Sequence, residues 1–312
     1  MERANASKKI LITGGAGFVG SNLVEDLTMD GYDVTAVFHK TPPPSLMCVW
    51  QPLDLLDHVA IRNQLLWNEY DAIIHCAAMS TVAGCRANQK AAYQLNVTAT
   101  RVLAEESNRH HSKFIYLSSD LVFDGSQGWY GEDDPVNPLS YYAETKAFAE
   151  EDVRLLCGDY LILRTSLLYG NHESSPGGFL SWTVDAMERD LELRLYLNQF
   201  RTILFVKDLS KVIDFLLHAP ATNQTYHIAG PERMNRVEIG RRVAEAFGYS
   251  NPRIIPTKLA RALEHGESDD VALRTDKIRN AMQMHFTSPM EGFRKSYQRW
   301  KWKSLADDNP ER

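Results

Sequence analysis

Residues Ile10-Leu-Ile-Thr-Gly-Gly-Ala-Gly-Phe-Val-Gly20 run an apolar strand into a glycine-rich turn and then into a helical pattern. Backbone lacking Cβ atoms at such a turn can come close to an anionic group. The helix that follows offers that group unpaired N–H donors and a favourable dipole. The glycines fit two registers, Gly15-x-Gly17-x-x-Gly20 and Gly14-x-x-Gly17-x-x-Gly20, and a purely structural glycine turn is the alternative reading. Strand, turn and helix in that order are the context of a dinucleotide phosphate site, with Gly14, Gly17, Phe18, Val19 and Gly20 as contacts.

The first half of the chain repeats this grammar. Lys9–Thr13, Asp33–Phe38, Leu46–Trp50, Ala72–His75, Lys113–Ser118 and Tyr160–Leu163 read as strands. Helical patterns at 21–30, 60–67, 91–108 and 145–156 separate most of them. Alternation of this kind predicts α/β architecture, a doubly wound parallel sheet of Rossmann type with ligands at the carboxyl ends of the strands. Thr41-Pro-Pro-Pro-Ser45 reads as a turn, and 170–178 is turn-rich. Beyond it, helices at 179–189, 206–218 and 237–247 surround one strand, Gln224–Ile228. The expected division is a nucleotide-binding domain over 1–170 and a smaller, mostly helical substrate lobe over 171–312, interleaved with the first and ending in a loose polar tail.

Composition excludes other classes. With 34 Lys+Arg against 40 Asp+Glu, the 312-residue chain carries a net charge of −6, which argues against non-specific nucleic-acid or anionic-membrane binding. No apolar run reaches the ~18 residues of a membrane span. The first nine residues have no apolar signal core, so a cytoplasmic location is expected. Cys48, Cys76, Cys85 and Cys157 lack ligand spacing and read as reduced thiols. Adjacent His110 and His111 do not share a helix face, so no metal is expected.

Tyr142-Ala-Glu-Thr-Lys146 places a phenol and an ammonium four residues apart on one helix face. An ammonium beside a phenol lowers its pKa from near ~10 and prepares it for acid-base work. Upstream, Phe114-Ile-Tyr-Leu-Ser-Ser-Asp-Leu-Val-Phe-Asp-Gly125 is an apolar strand ending in hydroxyls and a carboxylate, groups able to orient a carbonyl beside the tyrosine. The second strand ends in Val37-Phe38-His39-Lys40 without the acid that binds a ribose 2′-OH, so a 2′-phosphate is expected on Lys40 or His39.

Together these motifs resemble the extended short-chain dehydrogenase/reductases from Lys8 to about Phe247. Thr13 to Gly20 resembles their nucleotide motif, and Ser118-Ser119, Tyr142 and Lys146 their active site. Asp54-Leu55 is similar to the adenine-contacting pair after the third strand, His75-Cys-Ala-Ala78 to the cofactor-lining segment, and Asn96-Val-Thr-Ala-Thr100 to the Asn-Val-x-Gly-Thr helix, with Ala99 for glycine. Ser-Ser-Asp-x-Val-Phe-Asp-Gly, Tyr-x-x-Thr-Lys and Arg164-Thr-Ser166 are most similar to the dTDP-4-dehydrorhamnose reductases, a pattern shared by the regulatory β subunit of methionine adenosyltransferase.

The resemblance implies catalysis by Tyr142, Lys146 and Ser119. It implies cofactor contacts at Gly14, Gly17, Phe18, Val19, Gly20, His39, Lys40, Asp54, Leu55, Ala77, Ala78 and Asn96, shared with Tyr142 and Lys146. It puts the sugar on Ser119 and Asp120. Arg201, in Arg201-Thr-Ile-Leu-Phe-Val-Lys-Asp208, either contacts a diphosphate or is a solvent-exposed turn residue. The chain departs from the reductases at Leu167, where they have tryptophan, and at Glu267-Ser268, where they have Arg-Pro. The implied activity is reduction by NADP(H), with NAD(H) as alternative, of a keto group on a nucleotide-linked 4-keto-6-deoxy sugar. Epimerase or dehydratase chemistry and a non-catalytic NADP-binding regulatory subunit are the competing readings. A homodimer through the helices at 91–108 and 145–156 is compatible with the family.

Overall fold

The computed structural model describes residues 7–40, 47–170, 178–258 and 268–307. The expected turns at 41–45 and 171–177, Glu267 and the tail beyond 307 lie outside the described residues. Seven strands, β1 (Lys9–Thr13), β2 (Asp33–Phe38), β3 (Val49–Pro52), β4 (Ala72–His75), β5 (Lys113–Ser119), β6 (Tyr160–Thr165) and β11 (Gln224–Ile228), form one sheet in the order β11-β6-β5-β4-β1-β2-β3. All six pairings are parallel. The order reverses between β1 and β4, which places the crevice for a ligand above their carboxyl ends. The α/β, doubly wound, Rossmann-type sheet expected from the alternation is the observed architecture.

Helices α1 (Phe18–Met29), α2 (His58–Trp67), α3 (Val82–Ala87), α4 (Gln89–Tyr93), α5 (Ala99–Arg109) and α6 (Tyr141–Leu156) connect these strands. Near-continuous apolar strands such as Ile10–Ile12 and Ile73–Ile74 are fully buried because both faces of the sheet are covered. One core cluster includes Ile10, Ile12, Leu23, Leu27 and Ile74, and the other Leu11, Ile73, Leu103, Phe114 and Val153. Among the described residues the remaining helices are α7 (Gly178–Glu188), α8 (Val206–His218), α9 (Arg236–Phe247), α10 (Asp276–Met282) and α11 (Pro289–Asp307). Three short ladders join β7 (Leu168–Tyr169) to β10 (Leu204–Phe205), β8 (Leu193–Tyr196) to β13 (Ile254–Thr257), and β9 (Phe200–Arg201) to β12 (Met234–Asn235). A third cluster, with Leu180, Val184, Leu195, Val243 and Phe293, lies under α7, α9 and α11. Among the described residues no helix is long and apolar enough to cross a membrane.

Several boundaries differ from the sequence reading for identifiable reasons. Strand β3 begins at Val49, since its register with β2 runs from Thr35↔Val49 to Phe38↔Pro52; Leu46, where the strand was expected to start, lies outside the described residues. Strand β6 continues through Arg164 to Thr165 because Ser118↔Arg164 and Ser119↔Thr165 extend its ladder, and a buried ion pair accommodates the arginine. Helix α6 starts at Tyr141 because Ser140 caps it, accepting from Ala143 N–H at 3.2 Å. The helix expected over 91–108 is interrupted by a π-turn at Gln94–Thr98.

Candidate active site

The glycine turn makes a cradle of backbone. Gly14 has φ +67°, and a Cβ there would meet the Ala77 backbone at 2.8 Å. A Cβ on Gly20 would stand 2.2 Å from Gly14 O, so helix and turn touch with no room for a methyl group. A Cβ on Gly17 would stand 3.3 Å from Gly14 O, a closer fit than side chains ordinarily make. Gly17 is also the N-cap of α1 and no side chain caps the helix, leaving its first N–H groups for an anion. A dinucleotide pyrophosphate fits this cradle. Gly15, absent from the expected contacts, is needed for packing: its Cβ would meet Ala36 Cβ at 2.8 Å and the Trp50 ring at 3.0 Å.

Around the cradle the expected contacts divide. His39 and Lys40 are exposed, and His39 Nε2 lies 3.7 Å from Asp54 Oδ2. Ala77 and Ala78 are half-buried beyond β4. Leu55 is a core residue, clustered with Val37, Leu53 and Ile61. Asn96, expected as a cofactor contact, braces two segments of the protein. Its side chain is consumed by Met79 N and O, at 2.8 and 3.1 Å, and by Thr145 Oγ1 at 3.0 Å. It thereby ties α6 to the loop that carries Ala77 and Ala78.

Tyr142, Lys146, Ser119 and Asp120 converge where α6 crosses the end of β5, and all four are buried. Ser119 Oγ donates to Asp120 Oδ1 at 3.2 Å and accepts from Leu121 N–H at 3.2 Å. The expected lowering of the Tyr142 pKa is not what the structure has. Burial pushes this phenol well above its ordinary range, a hydrogen bond with Ser119 acts against that shift, and the Asp120 charge adds to it. Lys146 does not offset that burial; its Nζ lies over the Tyr116 ring, 4.2 Å from its centroid. Burial pushes Lys146 down to about 8, against the attraction of Glu150. At neutral pH the pair is therefore a neutral phenol beside an ammonium, a proton donor in waiting.

Ser118, read with Ser119 as one motif, points elsewhere and donates to Glu150 Oε1 at 2.6 Å. Alternation along a strand separates neighbouring side chains. Asp120 Oδ2 accepts from Ser166 Oγ at 3.1 Å and lies 3.8 Å from Arg201 Nε. Burial raises its pKa and Arg201 opposes that rise. Arg201 is no surface turn residue: it is 3% exposed, and its guanidinium also donates to Phe200 O at 2.7 Å and Ser268 O at 3.2 Å.

A cavity of ≈ 280 Å³ opens beside Arg201, walled by Leu121, Phe179, Trp182, Tyr196 and Arg236. Arg236 lies over the Phe179 ring at 4.9 Å and donates to Gln199 Oε1 at 2.8 Å. None of these wall residues except Arg201 was singled out from sequence. The available signal was an aromatic pair, Phe179 and Trp182, at helical spacing, which a core stripe also produces. A larger depression of ≈ 1230 Å³ lies around Tyr32 and Asp214, but it is at the amino edge of the sheet, far from these groups. Among the described residues no group of three or more His, Cys, Asp or Glu could hold a metal ion.

The family described as the RmlD substrate binding domain matches residues 8–301. The chain belongs to this family. Among RmlD-like relatives, it is 30% identical over 240 residues to the "Probable low-salt glycan biosynthesis reductase" of Haloferax volcanii, covering 76% of this chain and 79% of that protein. It is 27% identical over 255 residues to methionine adenosyltransferase 2 subunit beta of Danio rerio, covering 80% and 77%. Its fold matches dTDP-4-dehydrorhamnose reductase of Bacillus anthracis, solved in complex with NADP, with a TM-score of 0.81 at 23% identity over 95% of this chain and 100% of that one. The RmlD assignment agrees with the resemblance to extended short-chain dehydrogenase/reductases carried by the motifs.

Proposed function

We propose that this RmlD-family chain is a cytoplasmic, NADPH-dependent reductase of a keto group on a nucleotide-linked sugar, with a 4-keto-6-deoxy sugar as first candidate. The observation that carries this reading is the convergence of buried Ser119, Tyr142 and Lys146 between the glycine cradle and a cavity edged by Arg201 and Arg236. The nicotinamide, when bound, supplies hydride. Tyr142, kept protonated by burial, gives its proton to the oxygen that becomes an alkoxide, which is the direction a reductase requires. Ser119 orients the carbonyl, Lys146 holds the ribose, and Asp120 accepts from a sugar hydroxyl. Arg201 and Arg236 face the diphosphate, while Phe179, Trp182 and Tyr196 offer flat surface to the base. The exposed Lys40 ammonium, with the His39 ring beside it in sequence, favours a 2′-phosphate over a bare ribose.

The test is incubation with NADPH and a dTDP-4-keto-6-deoxy sugar, following NADP⁺ and product together. One NADP⁺ per reduced sugar is expected. Sugar conversion with no net oxidation overturns the reductase reading in favour of an epimerase or dehydratase. The methionine adenosyltransferase β-subunit relative gives a specific reason to weigh a regulator. That reading predicts NADPH binding without turnover of any keto sugar, together with a co-purifying enzyme. For self-association the candidate surface is α6, where Phe148 and Leu155 remain 47% and 81% exposed. Light scattering on the purified chain tests it.

A further inference from the structure

Glu150 is a buried charge that the proposed chemistry leaves unused. It stands one turn beyond Lys146, so Tyr142, Lys146 and Glu150 recur at four-residue spacing on one face of α6, at 9%, 4% and 1% exposure. Its carboxylate accepts from Ser118 Oγ at 2.6 Å, from Arg164 Nε and Nη2 at 3.0 and 2.8 Å, and from Arg154 Nη2 at 2.8 Å. Those donors come from strategic places. Ser118 immediately precedes Ser119 on β5. Arg164, on β6, is two residues before Ser166, which holds Asp120. One carboxylate therefore ties the helix bearing Tyr142 and Lys146 to both strands whose ends complete the site.

Stability alone is a poor account of this placement, since a buried ion pair contributes little more than a well-packed apolar group. The surroundings of Lys146 suggest another. His75 and Cys76 at the β4 end, Cys85 on α3, Tyr116 on β5 and Tyr142 on α6 stand around it. Burial holds His75 neutral and pushes both thiols up, and of the groups that favour the ammonium Glu150 acts more strongly than Cys76 or Cys85. Around Glu150 are Ser118, Arg154 and Arg164. His227, held neutral chiefly by burial, and Glu132 stand behind Arg164. On the α5 side of α6, Arg101 is engaged by Asp152.

We propose that Glu150 is a positioning residue for Lys146: its buried carboxylate keeps the ammonium charged in a water-poor site and holds α6 in register with the end of β5 that carries Ser119. Only the consequence for turnover rests on the reductase reading; the charge state of Lys146 does not.

Competitive acetylation of the whole protein across neutral to alkaline pH, read at Lys146 by mass spectrometry, tests the proposal without any substrate. Glu150→Gln moves the Lys146 midpoint down by about one pH unit, the effect of losing a nearby opposite charge. The alkaline limb of NADPH-dependent turnover moves the same way, and Glu150→Asp, which keeps the charge, returns both toward the native values. A merely structural Glu150 lowers the melting temperature in Glu150→Gln but leaves the midpoint in place, and that result overturns the proposal. Should Glu150→Gln not fold, Arg154→Met decides, because Arg154 is 35% exposed and competes for the same carboxylate. Its loss raises the Lys146 midpoint, and an unchanged midpoint overturns the proposal. If no keto sugar is turned over, the reductase reading fails while the acetylation midpoint still decides this one.

Discussion

The two halves of the candidate site are made of different material. The cofactor half is backbone: Gly14, Gly17 and Gly20 lie within seven residues, and what matters there is the absence of side-chain atoms. The half proposed for the substrate is side chain. Ser119 and Asp120, Tyr142, Ser166, Arg201 and Arg236 come from separate segments, and buried charges hold them in place. The first half is steric and local, so it tolerates almost no addition. The second is electrostatic and assembled, so it depends on partners distant in sequence.

The contrast can be broken or sharpened by experiment. The largest effect is expected from Tyr142→Phe, which removes one proton donor and no packing. Turnover falls by ~10²–10⁴-fold while NADPH binding, followed by fluorescence titration, stays near native. Equal loss of binding and turnover would merge the two halves. Gly20→Ala comes next and should do the reverse. Its methyl group has no space against Gly14 O, so stability drops by about 1–3 kcal/mol and NADPH affinity falls with it, as calorimetry can measure.

A smaller effect is expected at acid pH, at a latch joining the helix after the cradle to α8 and α11. Glu25 on α1 accepts from Lys207 on α8 at 2.7 Å and from Arg299 on α11 at 2.8 Å. Burial alone would raise the Glu25 pKa, but the hydrogen bonds and charges of Arg299 and Lys207 outweigh it and bring it from 4.5 to about 2. The latch therefore stabilises the fold fully above about 4.5, and its contribution fades as pH falls from there toward about 2. Glu25→Gln should flatten that part of the melting-temperature profile. Smallest is Lys40→Ala, an exposed charge worth about 0.2–1 kcal/mol. It should weaken NADPH several-fold at low salt and leave NADH unchanged; equal weakening of both would remove the assigned role.

The steric half was legible in the chain because its signals are contiguous. Strand, glycines and helix occupy Lys9 to Met29 without a break, and the observed β1 and α1 differ little from the expected ones. Tyr142 and Lys146 were legible too, since i and i+4 share a helix face. The assembled half was partly hidden. Ser118 and Ser119 look equivalent in sequence, yet one serves Glu150 and the other faces Asp120. Arg201 left a diphosphate contact and a surface turn equally open, and Glu150 gave no sign beyond its spacing. Phe179 and Trp182 looked like any apolar stripe.

The parallel sheet, the glycine cradle and the placing of Tyr142 and Lys146 on one helix face follow from the chain alone, because backbone sterics and helical periodicity act over a few residues. Only the tertiary structure decided the protonation of Tyr142, the turning of Lys146 onto Tyr116, and the pairing of Asp120 with Arg201 and of Glu150 with Arg164. Those outcomes depend on burial. A charge removed from water must find a partner or lose its proton, and which partner is within reach is settled by packing between segments far apart in the chain.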